Sequence, residues 1–570
     1  MVSCGASAQP AASSGPAIGA QVALPVPRVD ASAQARAATG TQSAQSSFVA
    51  LRDRVFTELL DDDPTNARDL GLHEYDGKVA PIAKEALRAR VERLTRAGEE
   101  LDRIRPLGLT DDDEQDLEEL KGEVKARLFW LVDIDSPRKL PQFYEPLFTV
   151  NIYIDRAYAP IEERAKRLLA HEDAALAEVK HIGENLTPPL SKPVAEVAAR
   201  NFAGFASYLR RDVANVMGKL GDDAQQKRFA HANEGLAKAA DDLAAWLKKE
   251  SARGDQSHVL GMPRFAKLLQ VQEGLTMPLA EFERMNEDNL AANKAAYEAL
   301  AAHVKDRAVD EARYFGTASR MMREAREFVV ERYIVSLPTS EGVTVRETPP
   351  YKRWNAASIE LSGPFEEAKS AFYYLTIPDR SWPKKQREGY LGTLGDLLGT
   401  TIHEVYPGHF VQGRWQERAP TRVQMALGNY AFVEGWAHYA EQMMVDEGFG
   451  RSDQANELAM LHGALLRNCR FAASLGIHAK GLTVEQAAKR FTLDCHQDEA
   501  TAREQAARGT FDPGYFAYTL GKLQILALRD EARRMLGARF SLQRFHDALL
   551  AHGAPPLALI HDRVLRELAR

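Results

Sequence analysis

Apolar residues recur every three or four positions along most of this chain, beginning at Phe48. Phe48, Leu51, Val55 and Leu59 share one helical face, and the Asp-Asp-Asp-Pro run ending at Pro64 stops it. The same spacing, filled in with Ala, Glu, Lys and Arg, predicts helices near 84–104, 111–133, 158–184, 192–218, 222–250, 279–304 and 310–335. Breaks fall at Pro106, Pro137, Pro188-Pro189, Gly221 and Gly254. Further helices are predicted near 454–475, 483–508, 514–538, 541–551 and 556–569. No fixed period repeats, which disfavours a solenoid. Only residues 336–382 change character. There, residues 343–348 and 370–377 carry β-branched and aromatic side chains among Pro and Gly, the pattern of short strands. The expected fold is mainly α, with helices on both sides of a deep central cleft and a small β-sheet on its wall.

Residues 1–47 are Ala, Ser, Gln, Gly and Pro with almost no bulky apolar side chains, so they are expected to be disordered and 48–570 to form the folded domain. Cys4 follows a small-residue run like the one that precedes the acylated cysteine of bacterial lipoproteins. The charged and apolar regions of such a signal are absent as written, and a start site placed too late would account for that. The expected location is the cell envelope, with Cys4 as a membrane tether, and otherwise the cytoplasm. A net charge of −7 and the lack of a basic run argue against nucleic acid as a partner. The chain has 3 cysteines, too few for a disulfide framework, and Cys469 and Cys495 are expected as buried or free thiols.

The chemistry concentrates in Thr401-Ile-His403-Glu404-Val-Tyr-Pro407-Gly408-His409-Phe410. Imidazoles bind Zn²⁺ well, and a neighbouring Glu can take a proton from activated water. In the usual H-E-x-x-H spelling the histidines are four apart and share a helical face. Here Pro407 occupies that position, and in a regular helix His409 would point away from His403. Pro407 clashes with the carbonyl of His403 and Gly408 relaxes the backbone, so a kink or bulge is expected to bring His409 back. Leu391, Leu394, Leu398 and Ile402 predict the helix leading in, and Gly392, Gly395 and Gly399 run beside them toward His403. Either these glycines leave room beside the metal or they allow close helix packing.

A further ligand is needed. Downstream, Ala426, Tyr430, Val433, Ala437, Ala440 and Met444 form one helical face, and Glu434, His438 and Glu441 form the stripe beside it. Glu434 is the expected third ligand, with His438 and Glu441 orienting the ligands from behind; His438 as a ligand is the alternative.

The spellings H-E-x-x-P-G-H and E-G-W-A-x-Y-A-E resemble the bacterial family called domain of unknown function 885, which is grouped with the gluzincin-type zinc metallopeptidases. The likeness covers roughly residues 48–570. It includes the stretch from Pro64 to Gly77, Arg470 to Gly476-Ile-His478, Arg508 to Gly521, and Phe545 to Leu557. The family has an acid where this chain has Ser474. The resemblance implies one Zn²⁺ held by His403, His409 and Glu434, with Glu404 as general base. It also implies an edge strand for extended substrate, for which Ala371–Thr376 is the candidate. Tyr518 is the candidate oxyanion donor and Tyr515 the runner-up, since a phenol in an apolar cleft can serve that role. Arg508 either anchors a substrate carboxylate or pairs with Glu504. The expected function is hydrolysis of short or unfolded peptides. The alternatives are a non-catalytic helical peptide-binding protein with a relic metal site, or a metallohydrolase of a non-peptide amide. Nothing in the sequence sets the oligomeric state.

Overall fold

The computed structural model of this chain describes residues 38–349 and 356–570, with side chains from Gln45 onward. The described residues are mainly helical, with one small sheet. They divide into two compact units, one of residues up to 260 together with 362–369, the other of 261–361 and 370–570. Cys4 lies outside the described residues.

In the first unit the helices follow the apolar spacing closely: Lys84–Asp102, Asp111–Leu128, Ile161–Glu178, Lys192–Tyr208 and Asp223–Ser251. The opening helix, Ala38–Asp61, starts inside the stretch expected to be disordered. Phe48, Val55 and Leu59 are buried, and a helix anchored by such a face extends cheaply into flanking Ala, Gln and Ser. Gln45 adds a hydrogen bond to Asp113.

The segment 362–369 joins this unit through the Gly71-Leu-His73-Glu-Tyr-Asp76 stretch. Gly71 has φ +91°, and a Cβ there would lie 2.6 Å from the Glu366 amide nitrogen, so only glycine fits. His73 stacks on Tyr158 at 3.5 Å, and its Nε2 lies 3.2 Å from Glu366 Oε2. Burial opposes a charge on His73, but Asp76 and Glu366 outweigh it and push its pKa up to about 9.

The second unit carries the sheet and the motifs. Its principal helices are α1 (Leu279–Ala301), α2 (Tyr314–Glu331), α3 (Leu394–Glu404), α4 (His409–Gln416), α5 (Tyr430–Asp446), α6 (Ala455–Lys480) and α7 (Ala517–Leu536). Gly261–Glu273 is a helix that the spacing did not predict. The stretch 483–508 is two helices, Val484–Leu493 and Glu499–Arg508, the second capped by the Asp498 side chain.

Strands β1 (Thr344–Glu347), β2 (Ala357–Leu361) and β3 (Ala371–Leu375) form a sheet in the order β1-β3-β2, with β1 parallel and β2 antiparallel to β3. Ala371–Thr376 is therefore the centre of the sheet and not a substrate edge. Ala371, Tyr373, Tyr374 and Leu375 are all buried, which is how a strand covered on both faces reads. The edges belong to β1 and β2, and the sequence reading passed over β2.

Cys469 and Cys495 are also not free thiols. They form a disulfide between α6 and the turn after Val484–Leu493, within an apolar cluster that includes Leu465, Ile477 and Phe491. A bond closing a loop of 26 residues stabilises by about 3 kcal/mol through the unfolded chain.

Candidate metal centre

Helix α3 starts at Thr393, whose hydroxyl accepts from the Asp396 amide while Asp396 accepts from the Thr393 amide. Gly392, at φ +70°, lies before this helix and not inside it. Ile402 and Leu398 bury the inner face of α3, and His403 and Glu404 close its last turn.

The expected kink is a complete break. The helix ends at Glu404, a tight turn follows, and α4 begins at His409. Pro407 has no N–H to continue the ladder, and the Gly408 amide instead reaches back to the Ile402 carbonyl at 3.0 Å. A Cβ on Gly408 would lie 1.8 Å from the His403 carbonyl oxygen, so the turn closes only with glycine. Trp436 on α5 donates its indole N–H to the Pro407 carbonyl at 2.9 Å and pins the turn. The break sets the His403 and His409 rings 4.7 Å apart, nearly perpendicular.

Glu434 comes from α5. Its Oε2 lies 3.4 Å from His403 Nε2 and 3.5 Å from His409 Nε2. Among the described residues these three make a group whose donor atoms all lie within 4.8 Å of one another. Ligands at Zn²⁺ bond lengths of ~2.0–2.1 Å in a tetrahedron sit ~3.4 Å apart, so the spacing fits that ion. Two nitrogens and a carboxylate oxygen, with His403 and Glu434 buried and His409 half-buried, are also a donor set zinc accepts. Burial would raise the Glu434 pKa, but the two imidazoles outweigh it and hold the carboxyl well below its usual range.

Glu441, two turns along α5, backs His403: its Oε1 lies 2.7 Å from His403 Nδ1, which leaves Nε2 to face Glu434. Arg467 on α6 donates to the same Oε1 at 2.8 Å. Burial opposes the charge on Glu441, and Arg467 with the neighbouring imidazoles holds its pKa well down. Arg467 carries no local sequence signal; only the packing of α6 on α3 and α5 shows it. His438 does not join the ligands. Its Nδ1 is 3.9 Å from Glu441 Oε1, and both ring nitrogens are buried with no hydrogen-bond partner among the described residues.

Glu404 stands beside this group. Its Oε2 accepts the Ile359 amide of β2 at 3.0 Å. The Thr376 amide donates to Ala356, so polar backbone groups at Ala357, Ile359 and Leu361 turn away from β3, toward the sheet's edge.

Tyr518 is fully buried on α7, its ring under Arg470 at 4.9 Å and edge-on to the ring of Tyr430 at 5.8 Å, one turn before Glu434. Gly521 explains the rest of its motif. A Cβ there would lie 1.7 Å from the Ala431 carbonyl oxygen, and Gly435 faces it across the α5–α7 crossing. The Tyr515 hydroxyl donates to Gln505 inside the core. Arg508 pairs with Asp512 at 3.2 Å and not with Glu504, and it donates to the Tyr430 hydroxyl at 3.2 Å. Ser474 donates to the Pro513 carbonyl at 2.6 Å.

A helical fold with a His-His-Glu group at a broken helix defines the class. The chain belongs to the family described as bacterial protein of unknown function, domain of unknown function 885, which matches residues 64–564. No curated protein matches it. It is similar to a solved structure from Shewanella oneidensis, described as a lipoprotein candidate of unknown function. The TM-score is 0.74 at 22% identity, covering 91% of this chain and 99% of that one. A lipoprotein candidate from Colwellia psychrerythraea matches with a TM-score of 0.74 at 18% identity, covering 92% and 99%.

Proposed function

We propose that this protein is a zinc-dependent hydrolase of short or unfolded peptides, with His403, His409 and Glu434 holding the metal and Glu404 as general base. The observation that carries the proposal is the meeting of the ligand-spaced trio with Glu404 at the edge of β2. When bound there, Zn²⁺ supplies Lewis acidity that polarises a carbonyl and makes water easier to deprotonate.

The residues of the chain do the rest. Glu404 keeps one oxygen on the Ile359 amide, which fixes its carboxylate, and the other oxygen takes the proton from the attacking water. The same oxygen then hands that proton to the leaving amine. Ala357 and Leu361 offer outward backbone groups along which an extended peptide adds as a further strand. Tyr518 is the proposed donor to the developing oxyanion. Arg508 is held as a candidate anchor for a substrate carboxylate.

The test starts with metal content. The purified protein should hold one zinc per chain and cleave members of a short-peptide library. Glu434→Gln should bind zinc at least tenfold more weakly and recover part of its activity when zinc is added. A wild-type protein that takes up no zinc would end this reading.

A cell-envelope location with Cys4 as lipid tether is part of the same proposal. It is favoured by the Cys469–Cys495 disulfide, since such bonds persist in oxidising compartments, and by the description given to the two similar structures. Cell fractionation should place the protein with membranes, and Cys4→Ser should release it. Recovery of unlipidated wild-type protein from the cytoplasm would count against the tether.

A further inference from the structure

The stretch from Gly71 to Gly77, which the chemistry at the metal centre does not use, grips the connection between two strands of the sheet. The chain leaves β2 at Leu361, passes through the first unit as residues 362–369, and enters β3 at Ala371. Two glycines let the backbones touch. A Cβ on Gly363 would lie 2.2 Å from the Leu70 carbonyl carbon and 2.4 Å from the Asp69 carbonyl oxygen, and Gly71 meets the Glu366 backbone in the same way. The Phe365 amide donates to the Leu70 carbonyl at 2.9 Å.

Side chains then lock the segment. The His73 imidazolium donates through Nε2 to Glu366 Oε2 at 3.2 Å, and its Nδ1 faces Asp76. Burial opposes that charge, and the two carboxylates keep it in place at neutral pH. The other oxygen of Glu366 accepts from Arg156 Nη1 at 3.4 Å. The same nitrogen donates to the Asp69 carbonyl at 2.7 Å, so one guanidinium ties the segment to the backbone it lies on. Glu366 is buried, and removing one partner of a buried charge pair strands the other away from water.

What the segment controls follows from where it attaches. Leu361, whose backbone groups turn to the open edge of the sheet, is joined directly to Ser362. Ile359, whose amide holds Glu404, is two residues earlier. A peptide adding as a further strand needs the outward groups along β2 held in one register.

We infer that Glu366 and His73 are positioning residues that hold the end of β2, so that its edge can take an extended peptide. The inference rests on the peptide-hydrolase reading for what adds to the edge.

Hydrogen exchange followed by mass spectrometry reads the strand directly on the zinc-loaded full chain. Glu366→Gln keeps the size and removes the charge, and His73→Gln breaks the pair from the other side. Each should raise exchange over Ala357–Leu361 at least tenfold, while the helix Asp223–Ser251 exchanges as in wild type and zinc content is unchanged. Arg167→Gln is the control. Its hydrogen bonds go to Asp76, Glu163 and the His73 carbonyl and not to residues 362–369, so strand exchange should stay within threefold of wild type. Peptide binding is measured by calorimetry in a Glu404→Gln background, where cleavage does not interfere. There, adding Glu366→Gln should weaken a short unstructured peptide at least tenfold. Unchanged strand exchange in both variants, an equal rise in the Arg167→Gln control, or full peptide affinity despite faster exchange would overturn the positioning role. The expected rise in exchange in a protein whose Glu404→Gln parent binds no peptide would leave the hold on β2 standing and remove the peptide reading.

Discussion

Glu404→Gln should retain its zinc and its fold and lose turnover by about 10²–10⁴-fold, the usual contribution of a general base. The argument is local. Glu404 follows His403 directly, and its carboxylate is held by the Ile359 amide and not by the ligand trio. Glutamine keeps the shape and can still accept the Ile359 N–H through its amide oxygen. What it loses is the basic oxygen that takes a proton from water. Metal analysis and thermal unfolding of the variant should match wild type, while kcat on the best library peptide collapses. Wild-type turnover by Glu404→Gln would remove Glu404 as the base. Loss of zinc would mean instead that Glu404 belongs among the ligands.

Gly408→Ala should cost the site its metal while most of the fold survives. The Cβ would lie 1.8 Å from the His403 carbonyl oxygen and 2.4 Å from that of Ile402, both backbone atoms that no side-chain rotation can clear. The turn between α3 and α4 must open, which moves His409 relative to His403 and disturbs the indole bond from Trp436 to Pro407. A shift of about 1 Å is large against metal–nitrogen bonds of ~2.0–2.1 Å. Zinc affinity should fall at least a hundredfold by competition with a chelator, and helix content by circular dichroism should change little. An alanine variant that binds zinc as wild type does would show that the turn tolerates what its geometry forbids. Gly399→Ala is the contrast, since the same change one helix earlier meets open space.

The sequence by itself determined most of the helices and the three residues His403, His409 and Glu434 that the fold brings together. Apolar spacing is a local property, so the faces of α1, α6 and α7 were legible, as were both strands rich in aromatic and β-branched residues. His403, His409 and Glu434 were legible for a similar reason: each lies in a short stretch whose residue types are costly without a purpose. Tertiary structure decided matters that depend on residues distant in the chain. Whether β3 is an edge or a centre depends on β2, a strand with a weaker pattern. Whether Gly395 packs and Gly399 leaves space depends on how far α6 stands from α3 at each turn. Cys469 and Cys495 read as separate thiols until two helices bring them together. Arg467 has no motif at all, and it matters because α6 delivers its guanidinium to the carboxylate that backs His403. Side-chain spacing within one element follows from backbone periodicity, but the distance between two elements is set by every side chain packed between them, and no local stretch of sequence contains that sum.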